Sequence, residues 1–320
     1  MTQFIVIAGS SPIMTQFIVI AGSSPIMTQF IVIAGSDPIK IQHIVIAGLD
    51  PAIYPGDIMT LIFDIGNTNI KTAIFDGDKL IQEWRISTDL KRTGDEYFSL
   101  LRPLFRDAQI EFSAIEKVVL STVVPALIGP FVIVAQHITS KKPLIVGPDI
   151  YSKFPLKLPQ TAVHEIGTDL YCDALEAWCR YKCPCIIADF GTALSFTAID
   201  GDANIAGVAI APGIRTAFNS LFANTAQIPA IPLDIPPTSL GKNTVVAVQS
   251  GIVLGYKGLV EGLIKQMKED LVKETGCNIN DIKVIATGGL NSMLQPITDT
   301  FDYVDKNLTL DGIKRIADML

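Results

Sequence analysis

The sequence predicts an α/β protein made of two similar halves. From Met59 onward, short apolar runs alternate with segments of helical apolar spacing. Two of those runs end in acidic, glycine-containing loops, "DIGNTNIK" at Asp64–Lys71 and "DFGTALS" at Asp189–Ser195. The chain has 320 residues, 49% hydrophobic and 18% charged. That suffices for the cores of two domains.

The first 58 residues have a different texture. "MTQFIVIAGSSPI" occurs at 1–13 and 14–26, "MTQFIVIAGSDPI" at 27–39, and a looser copy, "KIQHIVIAGLDPAI", at 40–53. Each unit reads locally as a strand closed by a turn. No apolar run in it approaches the ~20 residues that cross a bilayer. Its first positive charge is Lys40, so it lacks the basic start of a signal peptide. The near-identity of the copies reads as duplicated coding sequence. We expect residues 1–58 to lie outside the fold and to be dispensable. "MTLIFDIG" at Met59 reads as a protein start.

The first half then runs β-β-β-α-β-α-β. "TLIFDIG" is a short buried strand. "IKTAIFDGD" and "KLIQEWRIST" are two more strands, joined by the Asp-Gly-Asp turn. "RTGDEYFSLLRPLF" has helical spacing and meets Pro103 near its end. "KVVLSTVV" is a strand, "PALIGPFVIVAQHI" a helix starting at Pro125, and "PLIVG" a strand. The second half repeats this logic. "GTDLYCDALEAWCRY" is an amphipathic helix, and "CIIADFGTALSFTAID" gives strand, turn and strand. "NIAGVAIAPG" is a third strand and "IRTAFNSLFANTAQ" a helix. A long helical pattern covers 244–276, "KVIATGG" leads a strand into a helix, and "TLDGIKRIADML" closes the chain as a helix. The boundary falls near 160–167, giving domains 59–165 and 166–320.

Several functions are excluded early. The net charge of −7 and pI near 5.0 argue against a general nucleic-acid surface. The five cysteines, Cys172, Cys179, Cys183, Cys185 and Cys277, contain no C-x-x-C, and there are only three histidines. That disfavours a zinc site and suits a reducing, cytoplasmic compartment. No Walker-type or nucleophile-elbow motif occurs.

The two loops carry the chemistry. Each opens on an aspartate at the end of an apolar strand, Asp64 or Asp189. Glycine follows two residues later, Gly66 or Gly191, and then a hydroxyl, Thr68 or Thr192. Glycine allows close backbone approach, and backbone amides with hydroxyls bond phosphate oxygens. An aspartate there suits Mg²⁺ held through water, and Lys71 supplies positive charge. One such loop alone is equally a plain turn. Two at equivalent places in similar halves favour a phosphate site. The diglycine Gly288-Gly289 in "ATGG" suits close approach of a flat group such as adenine, or is an ordinary strand–helix turn.

These motifs, with "WRISTDLKRTGDEY", "GVAIAPGIRTAFNSLFANTAQIP", "GKNTVVAVQSGIVLGYKGLVEGLI" and "VIATGGL", resemble the type III pantothenate kinases over essentially all of 59–320. That family belongs to the actin/sugar-kinase/Hsp70 superfamily. The resemblance implies two ribonuclease-H-like domains, as in actin-like ATPases, with a nucleotide cleft between them. It implies ATP-dependent phosphorylation of pantothenate, the first step of coenzyme A biosynthesis. The first phosphate motif is then Asp64, Ile65, Gly66, Asn67, Thr68, Asn69, Ile70 and Lys71. Gly191 and Thr192 belong to the second, with Gly288 and Gly289 also on the ATP side. By likeness Asp169 is the catalytic base, and Gly167, Thr168, Asp169, Leu170 and Thr244 lie on the substrate side. Asp64 holds Mg²⁺ through water, and Asp189 holds a monovalent cation, K⁺ or NH₄⁺. The resemblance also implies a homodimer, with sites at its interface, and neither nucleic acid nor membrane as partner.

The sequence departs from the family at Leu170, where the family has an arginine that helps bind substrate. "AGV" at 206–208 and "LPQTAVHEI" before Gly167 also depart. The departures cluster on the pantothenate side. The competing readings are a regulatory paralogue that keeps the nucleotide site, or a related kinase with another small substrate.

Overall fold

The computed structural model describes residues 3–7, 15–21, 28–34, 59–223, 231–289 and 291–320. Met1–Gly56 and Asp57–Leu320 are separate compact units. In the first, strands β1 (Gln3–Ile7), β2 (Thr15–Ala21) and β3 (Thr28–Ala34) form an antiparallel sheet in the order β1-β2-β3. Each strand is one copy of the apolar repeat. The fourth copy, at 40–53, lies outside the described residues.

The second unit opens with β4 (Met59–Ile65), β5 (Asn69–Asp76) and β6 (Lys79–Ser87), an antiparallel meander. α1 (Gly94–Asp107) follows. Thr93 caps it through a box with Glu96: the Glu96 amide donates to Thr93 Oγ1, and the Thr93 amide donates to the Glu96 carboxylate at 2.7 Å. β7 (Ile115–Thr122) then pairs parallel to β4. α2 (Ile128–Thr139) is preceded by one 3₁₀ turn at Pro125–Leu127, so the expected helix does begin at Pro125. The short β8 (Leu144–Ile145) and the single turn α3 (Pro148–Tyr151) end this half.

The second half starts with α4 (Thr168–Tyr181), which enters the meander β9 (Cys185–Phe190), β10 (Ala193–Ile199) and β11 (Ile205–Pro212). α5 (Ile214–Ala223) covers the described part of the expected 214–227 helix; its remainder lies outside the described residues. The long helical pattern folds as α6 (Thr244–Gln249), a π turn at Ser250–Leu254, and α7 (Gly255–Thr275). Asn243 caps α6 by accepting from the Val246 amide at 2.9 Å. β12 (Lys283–Thr287) pairs parallel to β9 and leads to the short α8 (Asn291–Leu294). β13 (Tyr303–Val304), too short to stand out in the sequence, precedes α9 (Leu308–Met319).

The two sheets have one topology: β6-β5-β4-β7-β8 and β11-β10-β9-β12-β13. In each, three antiparallel strands are followed by two parallel additions. This is the duplicated, actin-like arrangement the resemblance implies. The apolar core is layered accordingly. One cluster packs α1 and α2 on the outer face of the first sheet. Another packs α7 on the outer face of the second. Between the sheets lies a third, built on α4 and α9, with Ile62 and Val119 from one sheet and Ile187 and Ile285 from the other. α4 and α9 touch closely at Gly312, where a Cβ would collide with the Cys172 carbonyl. Among the described residues no helix is long and apolar enough to cross a membrane.

Candidate active site

Asp64 is the half-buried residue of an otherwise buried β4 run, and Asp189 holds the same place in β9. The strand ends therefore present two carboxylates at equivalent positions. The β4–β5 turn is tight: the Gly66 amide donates to the Asn69 carbonyl at 3.0 Å. Ile65 and Ile70 bury their side chains in the outer core and anchor the turn, while Asn67, Thr68 and Asn69 are exposed. Thr88 braces it, donating its hydroxyl to the Gly66 carbonyl at 2.6 Å and its amide to the Thr68 carbonyl at 3.0 Å. The stretch is thus both a hairpin turn and an exposed polar loop.

The second loop is braced likewise. The Gly213 amide and the Thr216 hydroxyl both donate to the Thr192 carbonyl, at 3.0 and 2.7 Å. The loops meet: Thr68 Oγ1 lies 2.9 Å from Thr192 Oγ1. Gly288 turns with φ of 83° directly behind Asp189 and Phe190.

Asp169 sits in the first turn of α4, at the positive end of the helix. Its Oδ1 accepts from the Leu170 amide at 2.8 Å. Gly167 leaves the room for this, since a Cβ there would strike Oδ1. The Thr168 hydroxyl is 2.9 Å from Ser121 Oγ, on the β7 residue paired with Asp64. Leu170 is buried, 9% exposed, and presents no donor. Thr244 stands elsewhere, lining a cleft of ≈ 610 Å³ with Lys242, Asn243 and Ile252; neither Asp169 nor either acidic loop lines it.

Negative charge accumulates between the loops. Burial pushes the Asp64 carboxyl up to about 6, against the lowering effect of Lys71, whose Nζ is 3.7 Å from Oδ2. Burial and then Asp169 raise Asp189 to about 7. Asp169 is also raised, by burial, with its backbone hydrogen bonds opposing. Lys71 lowers all three. Asp173, one turn after Asp169, is raised as well, by burial and then by Asp189. Both its oxygens are buried without a hydrogen-bond partner, as is Thr287 Oγ1, whose residue is the strand neighbour of Asp189. The Thr309 hydroxyl eases the Asp173 charge without meeting hydrogen-bond geometry. Orphaned oxygens beside a cluster of carboxylates are the donor set of a hard cation. Among the described residues no three His, Cys, Asp or Glu side chains converge as a metal site, so a cation here would need hydroxyl and water ligands too.

The sequence profile of the type III pantothenate kinase family matches residues 60–266. The chain belongs to that family. A type III pantothenate kinase of Exiguobacterium sp. strain AT1b is 39% identical over 258 residues, 81% of this chain and 98% of that protein. One from Geotalea uraniireducens is 38% identical over 256 residues, 80% of this chain and 96% of that protein. Among solved structures, the chain is similar to an ethanolamine utilization protein of Carboxydothermus hydrogenoformans, at 13% identity and TM-score 0.45, over 80% of this chain and 88% of that one.

Sequence reasoning missed four residues of this pantothenate kinase family site. Asp173 was legible, four residues after Asp169 and so on the same helix face. Thr287 was inside the quoted "ATGG". Thr88 and Ser121 carried no local signal, because their partners are 22 and 47 residues away.

Proposed function

We propose that the chain transfers the γ-phosphoryl group of ATP to the primary hydroxyl of pantothenate, giving 4'-phosphopantothenate. The observation that carries this reading is the contact between Thr68 and Thr192, which joins two acidic glycine loops within one family member. The loops, Asp64–Lys71 and Gly191-Thr192, cradle the phosphates, and Gly288-Gly289 admits the adenosine end. Lys71 meets the phosphate charge. Asp169 takes the proton from the attacking hydroxyl; its raised affinity for protons suits a general base.

Gly167, Thr168 and Leu170 form the substrate side beside Asp169, and Thr244, which lines a separate cleft of its own chain, would join them only from the second copy of the homodimer. Mg²⁺ held by Asp64 through water, and K⁺ or NH₄⁺ beside Asp189, would offset the phosphate charge. The excess of buried carboxylate over Lys71, and the orphaned oxygens of Asp173 and Thr287, support a cation there. The halves divide at 59–165 and 166–320. The enzyme acts in the cytoplasm as a homodimer; the exposed Val208 and Ile210 on the outermost strand β11 support such an interface.

The test is ATP consumption by purified protein with and without pantothenate, with detection of 4'-phosphopantothenate. ADP release only when pantothenate is present is the expected result. Leu170 favours one second reading, a kinase for a substrate without a carboxylate, because leucine offers no paired donors. ATP binding without pantothenate-dependent turnover would select that reading or a non-catalytic one.

A further inference from the structure

Arg85 has no role in the site as described, yet its position is specific. Residues directly opposite on paired strands share one face of the sheet. Asp64 of β4 is opposite Lys71 of β5, and Lys71 is opposite Arg85 of β6. Ser121 of β7 extends the row on the other side of Asp64. One line of side chains therefore crosses the first sheet: Ser121, Asp64, Lys71, Arg85. At one end Ser121 touches Thr168, next to Asp169. At the other end Arg85 Nη1 lies 4.0 Å from where a Cβ of Gly289 would stand. Arg85 thus faces the diglycine turn of the opposite half.

Among the described residues its one ion pair is a long one, 4.0 Å to Glu83 on its own strand, and its side chain is half exposed. Its charge reaches Asp64. A permanent cation with a planar fork, held over a side-chain-free turn, is suited to grip phosphate oxygens. Two strand spacings, about 10 Å, separate it from Asp64. It therefore stands beyond the end where phosphoryl transfer takes place.

We propose that Arg85 binds the phosphates that remain on the nucleotide after transfer, spanning the cleft between β6 and the Gly288-Gly289 turn. The inference rests on the kinase reading. Lys71, nearer Asp169, serves the transferred group, while Arg85 holds the part common to ATP and ADP.

The test compares wild type, Arg85→Met and Arg85→Lys in the full chain, by ADP titration calorimetry and by steady-state kinetics. Circular dichroism confirms folding; Arg85 lies on an exposed strand position, away from the three apolar clusters. Arg85→Met is expected to weaken ADP binding and to raise KM for ATP by about tenfold or more, the loss of a charged hydrogen-bonded contact. Turnover at saturating ATP and KM for pantothenate change much less. Arg85→Lys recovers part of the ADP affinity. An unchanged ADP affinity in a folded Arg85→Met overturns the inference while leaving the kinase reading intact. A fall in kcat without loss of ADP affinity overturns it too, and assigns Arg85 to the transferred group. Wild-type protein that binds no ADP overturns both.

Discussion

Asp169→Asn removes the proposed base and keeps the shape of the side chain. We expect kcat to fall by about 10²–10⁴-fold, the usual worth of a general base. ATP affinity, set by the loops, should stay within a few-fold in calorimetry; an unchanged kcat would remove Asp169 from the role. Leu170 allows the opposite experiment, a gain. Its side chain brings no donor to the substrate side, so Leu170→Arg should lower KM for pantothenate by about tenfold, one charged hydrogen bond's worth. An unchanged KM means that another cation already meets the carboxylate, or that the acceptor is not pantothenate.

At the scale of elements, α4 is the part that carries Asp169, and it is fastened to α9. Glu176, almost fully buried, accepts from Arg315 Nη2 at 2.9 Å and from Arg180 Nε at 2.9 Å. Arg180 in turn reaches Asp305 and Asp311. Burial alone would raise the Glu176 carboxyl, but the hydrogen bonds and charge of Arg315 and Arg180 prevail and hold it below its ordinary value. A carboxyl depressed in the folded state adds stability above its unfolded value and loses it as pH falls through the folded one. Glu176→Gln should therefore lower stability at pH 7 by about 2 kcal/mol, since two half-exposed arginines lose their charged partner. The gap in Tm between wild type and Glu176→Gln should close as pH falls below about 4, the ordinary glutamate range. A gap that stays constant with pH would mean that the carboxylate charge contributes nothing.

For the whole molecule, the proposed assembly places β11 between two copies. Ile210 is 68% exposed and Val208 41%, on a strand whose outer edge, among the described residues, is met only at its start, by the bridge from Lys157 to Asn204. Apolar side chains on an unpaired edge are an unmanaged liability in a monomer. Ile210→Asp should shift the sedimentation of wild-type dimer to that of a monomer, with loss of turnover if the site needs both copies. A wild-type monomer in ultracentrifugation would refute the assembly outright.

Much of this protein was legible along the chain. Apolar runs such as "TLIFDIG" and "CIIADFG" marked the central strands because a strand buried on both faces needs no alternation. The acidic Gly-Thr loops marked the strand ends, and the helical apolar spacing of "RTGDEYFSLLRPLF" marked α1. The duplication of the sheet order followed from those repeats. Of the two-residue strands, β8 showed in the apolar "PLIVG", while β13 carried too little pattern to stand out, since its pairing depends on neighbours already in place. The composition of "FDIGNTNIK" alone left it between turn and phosphate cradle; the fold makes it a tight hairpin turn whose polar residues Asn67, Thr68 and Asn69 stay exposed. Which side chains share the site was decided by tertiary structure alone. Cross-strand register lined up Ser121, Asp64, Lys71 and Arg85, and close packing of α4 on α9 buried Asp173 and Glu176. Local pattern reaches neighbours at i+2 or i+4, whereas the contact of Ser121 with Thr168 spans 47 residues and that of Glu176 with Arg315 spans 139, and both exist only once α4 packs between the sheets and against α9.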